Sequence, residues 1–399
     1  MRALQRLAIY LLMAVCLSFG ANLVTPDGGV AWAKTSTRAK KPAPKKATAT
    51  KKKSIASKKK RKKPRPLKLR EPVLPDDPKI ALGEALEQHV DAYLKTAPLT
   101  YGAFVAIDVK TGEVLTVSER KPKGAKIANP AISSGFPAAS IFKIITFAAL
   151  YEGNHATRAT TVKYHGGSSG LTMGNLVDSP KRDRQRRSLG TAFAYSTNSV
   201  FGKLAVNHLT IDELVSMAEV FGFNKKLSVD GRETRSRTTR PGGQLGLGRM
   251  AAGFTNSFLS PLHGAALAAM IANGGYWPEK ILVNGQHVDE QVLSDRTVRN
   301  LKAVMVQAAT GGTGTRHVGG IRDPKGGGSV ALKTGTLNSR DGSGLHNSWM
   351  VGFFPAEKPR IAFASLVSIR GGGAMKSGHL TKYALKTLLM LEKNRAGRY

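Results

Sequence analysis

Tyr101-Gly-Ala-Phe-Val-Ala-Ile-Asp108-Val-Lys-Thr-Gly112-Glu-Val-Leu-Thr-Val117 sets the fold class. Two β-rich runs flank Lys110-Thr111-Gly112, and this pattern predicts an antiparallel hairpin. More than 200 residues later, apolar runs at 330–333, 348–354 and 361–369 read as three further strands, and a helix is expected over 380–391. Before the hairpin, Ile80, Leu82, Leu86, Val90 and Tyr93 recur at helical spacing over 80–95. Strands at both ends with helix-rich sequence between them predict an α+β fold. Its antiparallel five-stranded sheet is built from both chain ends and packed with helices, and a helical subdomain is inserted. Glycine-rich stretches at 311–320, 326–328 and 371–373 read as loops.

Three short motifs lie within this frame. Ser140-Ile-Phe-Lys143 precedes Ile144-Ile-Thr-Phe-Ala-Ala-Leu150, so Ser140 is expected to open a helix as its cap, with Lys143 one turn on. A hydroxyl and an amine so placed make a nucleophile and a base. Taken alone, the pattern is common and Ser140 need only cap. Tyr195-Ser196-Thr197-Asn198 lies 56 residues beyond Ser140 and offers a hydroxyl and an amide, or simply a capped turn between helices. Lys333-Thr334-Gly335-Thr336 lies 137 residues beyond Ser196. A strand ending there presents a cation and hydroxyls on a sheet edge, with a glycine that permits close approach; the plain alternative is a strand-to-turn transition.

In this order and spacing, Ser-x-x-Lys, Ser-x-Asn and Lys-Thr-Gly resemble the penicillin-binding transpeptidase and serine β-lactamase superfamily. Longer segments match as well. Phe136-Pro-Ala-Ala-Ser140-Ile-Phe-Lys143, Ala194-Tyr-Ser-Thr-Asn198-Ser-Val-Phe, Leu259-Ser-Pro-Leu-His-Gly, Ala272-Asn-Gly-Gly275 and Trp349-Met-Val-Gly-Phe-Phe-Pro355 are similar to transpeptidase domains of high-molecular-mass penicillin-binding proteins. The likeness runs from about Gly102 to Leu391. It implies that Ser140 forms an acyl-enzyme with D-Ala-D-Ala stem peptides and that neutral Lys143 takes its proton. Ser196 would relay the proton to the leaving nitrogen, and Asn198 would orient Lys143 and the substrate amide. Lys333 and Thr334 would bind the terminal carboxylate, and that of penicillin. Gly335 would allow close approach, and the amides of Ser140 and Thr336 would form the oxyanion hole. Ala139 stands where many relatives carry glycine, a departure expected to matter little.

The implied activity is peptidoglycan D,D-transpeptidation, with peptidoglycan stem peptides as substrate partners and β-lactam antibiotics as inhibitors. The same acyl-enzyme would serve a D,D-carboxypeptidase or endopeptidase. β-Lactamase action would need a deacylating base, and no glutamate is recognisably placed for one. A non-catalytic penicillin-sensing or wall-binding module would have no use for Ser140, Lys143 and Lys333 together. His165, His317 and His346 show no metal-ligand spacing and read as surface or loop residues, while Trp349 and Phe353 read as sheet core. No cofactor and no metal are implied.

The remainder of the 399 residues divides by charge. The chain has 61 Lys+Arg against 26 Asp+Glu, a net +35. Residues 34–70 hold 18 basic residues and no acid; the first 33 hold Arg2, Arg6 and Asp27, which leaves +16 on residues 71–399. Arg2 and Arg6, an apolar run from Leu7 to about Phe19, and Ala31-Trp32-Ala33 describe residues 1–33 as a signal peptide or retained N-terminal anchor. Residues 34–78, rich in Lys, Pro and Ala, are expected to be an extended, disordered tether. Adhesion of this linker to an anionic wall or membrane surface is the functional alternative; no nucleic acid is expected, because no aromatic residue interleaves the charges. Residues 79–399 are expected to be the transpeptidase-like catalytic domain that the resemblance implies, exported to the periplasmic or cell-wall side of the inner membrane and anchored there if the N-terminal segment is retained. Hydrophobic content of 41% excludes wholesale disorder, and a single cysteine, Cys16, excludes an internal disulfide framework. The roughly 60 body residues ahead of Ser140 have no room for a glycosyltransferase domain, so a stand-alone catalytic domain is expected.

Overall fold

The structure, a computed structural model, describes Asp77 and residues 80–396. The signal and all but one residue of the expected linker lie outside the described residues. In chain order the main elements are helix α1 (Leu82–Thr96), strands β1 (Tyr101–Asp108) and β2 (Val114–Arg120), and helices α2 (Lys143–Glu152), α3 (Leu189–Ala194) and α4 (Asn198–His208). Helices α5 (Ile211–Val220), α6 (Gly243–Ala251), α7 (Pro261–Ala272) and α8 (Asp295–Gly311) follow. Strands β3 (Ala331–Asn338), β4 (Leu345–Phe354) and β5 (Ile361–Arg370) and helix α9 (Ser377–Ala396) complete the chain.

The hairpin forms as the sequence predicts. Asp108 Oδ1 accepts from the Lys110 and Thr111 amides at 2.9 and 2.7 Å, and Gly112 closes the turn at φ +77°. Together the early and late strands make one five-stranded antiparallel sheet in the order β3-β4-β5-β1-β2. The sequence-distant pair β1 and β5 lies at its centre, in register from Tyr101↔Ser368 to Asp108↔Ile361. Both faces are covered. Ala103, Val105 and Ile107 of β1 join one hydrophobic cluster with α7, and the alternating Phe104 and Ala106 join a second with α1 and α9.

Helix α7 is buried along all twelve residues, the expected state of a helix that is apolar all round. Ser260 caps it by accepting from the His263 amide, and Pro261 occupies the first turn. It crosses the sheet at Gly264, where a Cβ would lie 3.1 Å from Ala364 Cβ and 3.3 Å from Val351 Cγ2. The helices between β2 and β3 form the inserted region.

Two expectations need correction. The strand predicted over 330–333 extends to Asn338, so Lys-Thr-Gly-Thr lies inside β3 and not at its end. Pairing with β4, Lys333↔Val351 through Asn338↔His346, carries the strand through a glycine that local propensity would treat as a stop. The loop expected over 311–320 contains a short helix, Thr315–Val318. Among the described residues no helix is long and apolar enough to cross a membrane.

Gly264→Val would force branched methyls between α7 and the sheet. Chemical denaturation should show a loss of about 1–3 kcal/mol, the usual cost of overpacking; an unchanged midpoint would contradict this close crossing.

Candidate functional site

Ser140 lies in a single 3₁₀ turn, Ala139–Phe142, that runs directly into α2. Residues i and i+3 eclipse in such a turn. Lys143 is therefore carried over Ser140, and its Nζ sits 2.8 Å from Ser140 Oγ. The expected cap is not made: α2 begins at Lys143, Phe142 occupies the cap position, and no side chain caps it. The Ser140 hydroxyl faces the amine instead of the helix amides.

Lys143 Nζ has two more partners, Asn198 Oδ1 at 2.8 Å and the Ala252 carbonyl oxygen at 2.6 Å. Neither can donate. A neutral amine has two hydrogens and one lone pair, so hydrogens directed to these two acceptors leave the lone pair facing the Ser140 O–H. The electrostatics favour that state. Lys143 is fully buried, and burial, then the nearby charge of Lys333, holds its pKa well below the ordinary lysine value. The Ala252 carbonyl reaches Lys143 because Gly253 follows it at φ +81°; a Cβ there would lie 2.1 Å from the Ala139 carbonyl oxygen. Ala139 itself has φ +50°, a left-handed conformation that glycine would adopt without strain.

Asn198 opens α4, and its orientation is set from the other side. Its Nδ2 donates to the carbonyls of Gly167 and Ser168 at 2.9 and 3.3 Å, which turns Oδ1 toward Lys143. Ser196, at φ +57°, accepts from Lys333 Nζ at 3.0 Å. Along β3 the side chains alternate: Lys333 and Gly335 are buried, Thr334 is half-buried and Thr336 is exposed. Lys333 thus stands behind the cleft wall with its Nζ committed to Ser196 Oγ and the Thr334 carbonyl. Lys333 itself is not among the residues lining the cavity, while its strand neighbours Thr334 and Thr336 are. Burial lowers Lys333 to about 7. Gly335 admits the Ser140 turn: a Cβ would meet Ala139 Cβ, Ile141 Cγ1 and the Ser140 amide nitrogen, each at 3.3 Å.

These residues surround a cavity of about 350 Å³ that Ser140, Ser196, Asn198, Thr334, Gly335 and Thr336 all reach. Three motifs separated by 193 residues of chain converge there. A profile of the penicillin binding protein transpeptidase domain matches residues 102–389. The chain belongs to the penicillin-binding protein transpeptidase family. Among curated proteins it is 28% identical over 306 residues to the peptidoglycan D,D-transpeptidase PbpA of Mycobacterium tuberculosis (strain CDC 1551 / Oshkosh), covering 67% of this chain and 61% of that protein. It is 30% identical over 273 residues to the PbpA of Mycolicibacterium smegmatis, covering 63% and 54%. The chain therefore spans less than two thirds of the length of these relatives. Among solved structures, the D,D-transpeptidase domain of a peptidoglycan glycosyltransferase from Eggerthella lenta superposes with a TM-score of 0.60 at 25% identity, over 78% of this chain and 81% of that one.

Several residues at the transpeptidase-family cleft escaped the sequence reading. Thr313 Oγ1 lies 2.6 Å from Thr334 Oγ1, supplied by a glycine-rich stretch that read only as loop. His317 lines the cavity and packs edge-on against His379 at 4.7 Å; burial first, then the neighbouring cationic groups, lowers it to about 4. It is a wall residue, not a surface one. His165 pairs with Asp183 at 2.5 Å, and Asp183 also holds the buried Lys203. His346 reaches Asn338 Oδ1 at 2.6 Å. Trp349 and Phe353 are sheet core; the Trp349 indole donates to the Pro137 carbonyl at 2.9 Å. Among the described residues no group of three or more acidic, histidine or cysteine side chains is disposed to hold a metal ion.

Lys333 gives up its proton near pH 7 when folded and near 10.4 when unfolded, so between these values the unfolded chain binds more protons and stability rises with pH. Lys333→Met removes that term. Thermal melts should show the variant gaining most, relative to the parent, at pH 6, with the gain shrinking toward pH 10; a pH-independent difference would refute the buried, deprotonating amine. Gly335→Ala pushes on the Ser140 turn and should slow acylation by penicillin about 10²-fold or more, the usual cost of disturbing an oxyanion donor, with the fold retained by circular dichroism.

Proposed function

We propose that the protein is a serine D,D-transpeptidase of peptidoglycan. The observation that carries the reading is the Lys143 amine, buried, held by two obligate acceptors and aimed at Ser140 Oγ. In the first step the Ser140 proton passes to the Lys143 lone pair. Ser140 Oγ then bonds to the carbonyl carbon of the penultimate D-Ala. The carbonyl oxygen becomes an oxyanion held by the amides of Ser140 and Thr336. When it collapses, the peptide C–N bond breaks and the leaving D-Ala nitrogen takes a proton through the Ser196 hydroxyl. Thr334 and Thr336 hydroxyls grip the terminal carboxylate, with Lys333 adding positive potential from behind. An amine of a neighbouring strand then attacks the acyl-enzyme by the reverse path, losing its proton and freeing Ser140 Oγ. β-Lactams, whose carboxylate and acyl carbon mimic the donor, would acylate the same serine.

Export and a wall-facing location are part of the proposal. They are supported by the N-terminal apolar run with its flanking arginines and by the basic stretch at 34–70, which would tether the domain or hold it against an anionic surface.

Labelled penicillin should form a covalent adduct that peptide mapping places on Ser140, and Ser140→Ala should abolish it. Mass analysis of stem peptides should then show cross-linked dimers. Folded parent protein that takes no label would overturn the acyl-enzyme reading; tetrapeptide monomers without dimers would reassign it to hydrolysis.

A further inference from the structure

A second cavity of about 410 Å³ adjoins the cleft, and Ser168, Ser196 and Asn198 line both. Its outer wall comes from a short strand pair, Thr161–Tyr164 with Gln185–Ser188, in the register Tyr164↔Gln185 and Val162↔Arg187. Alternation along the second strand directs Gln185 and Arg187 into this cavity, while Arg186 lines a different one. The segment that supplies Arg187 is basic: Lys181, Arg182, Arg184, Arg186 and Arg187 fall within seven residues of sequence, and the acid among them, Asp183, is committed to Lys203 and His165.

Arg187 is the group that needs a partner. It is half-buried, its Nη1 donates to Thr197 Oγ1 at 2.6 Å, and its guanidinium lies 5.0 Å over the ring of Tyr195, which is 50% exposed. It makes no ion pair among the described residues. One donor and the stacked face fix the guanidinium, which leaves the remaining N–H donors of the fork available to pair with an anion.

We infer that this cavity receives the acceptor strand and that Arg187 binds a carboxylate of the acceptor stem peptide. The inference rests on the transpeptidase reading. By microscopic reversibility the attacking amine must occupy the place the leaving nitrogen vacates, beside the proposed proton relay Ser196. Ser196 is a wall common to both cavities, so an acceptor whose amine sits there can extend into the second one. The donor carboxylate is assigned by the proposed mechanism to Thr334 and Thr336, which line the first cavity and not the second. A stem peptide offers the required pair of groups, an amine and free carboxylates.

The test is a competition on the full-length chain with a thioester donor, N-acyl-D-alanyl thioglycolate. Two acceptors are supplied at equal concentration: a stem tripeptide with free carboxylates and the same peptide with its carboxylates amidated. Both draw on one acyl-enzyme, so the product ratio does not depend on how fast a variant acylates. The parent should favour the free acid about tenfold, the worth of one charge-assisted hydrogen bond, with the preference falling at high salt. Arg187→Gln should bring the ratio near one, and Arg187→Lys should retain part of it. A parent ratio near one or an unchanged ratio in Arg187→Gln would overturn the inference while leaving acylation at Ser140 intact; donor hydrolysis with no transfer to either peptide would overturn the transpeptidase reading and the inference with it. If Arg187→Gln does not fold, the parent's salt dependence and the lysine variant decide, and a full parent ratio that is indifferent to both overturns it. Failure of the parent to form any acyl-enzyme would instead sink the functional reading beneath it.

Discussion

Two lysine amines buried in one water-poor seam are the constraint on which the site depends. Lys143 and Lys333 are both 0% exposed. Two ammonium ions cannot share such a place cheaply, since burial penalises each charge and each charge penalises the other. The seam lessens the cost in two ways. Each amine lies near an aromatic ring, Lys143 Nζ 5.6 Å from the Phe201 centroid and Lys333 Nζ 5.5 Å from that of Phe193. Each also finds carbonyl or hydroxyl acceptors. What remains of the cost falls hardest on Lys143, which meets both burial and the second cation. The protein therefore holds an amine biased toward its neutral form within hydrogen-bonding range of an alcohol, and the destabilisation of the charged form is what leaves its lone pair available.

Holding that base in place falls to backbone geometry more than to side chains. The Ser140 turn is wedged between β3 and the segment after α6, and both neighbours are glycines where they touch it: Gly335 on the strand and Gly253 after the helix. One brings the sheet edge to the Ser140 amide; the other brings the Ala252 carbonyl to the amine. The sheet that supplies Gly335 is anchored by its central pair, β1 with β5, whose residues are buried on both faces.

Much of this was legible in the sequence, and the gaps have physical causes. The hairpin, the three late strands and the terminal helices announce themselves by period and turn chemistry, because a half-buried strand and a packed helix each leave a repeating pattern. Strand ends were less legible. Lys333-Thr334-Gly335-Thr336 has no β-rich composition and becomes strand only because β4 pairs with it. The three motifs name Ser140, Lys143, Ser196, Asn198 and β3, yet they say nothing of Ala252 or Gly167, whose contributions are carbonyl oxygens and so independent of side-chain identity. Thr313 and His317 were hidden for another reason: they sit in a stretch whose glycines signal loop, and a loop's route through space is not a local property. For Lys333 the motif gives the residue but not its depth: strand alternation buries it while Thr334 and Thr336 line the cleft.

Asn198 ties the two halves of the cleft together. Its carbonyl oxygen takes a hydrogen from Lys143, and its amide nitrogen gives one each to Gly167 and Ser168, in the segment that lines the second cavity. An amide cannot rotate to improve one set without losing the other, because its oxygen only accepts and its nitrogen only donates. The segment it grips is itself pinned: the single Ser199 hydroxyl hydrogen is directed between the Gly166 carbonyl at 2.8 Å and the His165 carbonyl at 3.2 Å, and the His165 ring is held by Asp183, which also receives Lys203. Any displacement of the 165–168 segment would therefore reach the Lys143 amine beside Ser140 through a single rigid amide. An aspartate or serine at position 198 would supply an acceptor for Lys143, but neither could also donate two hydrogens to the opposite wall.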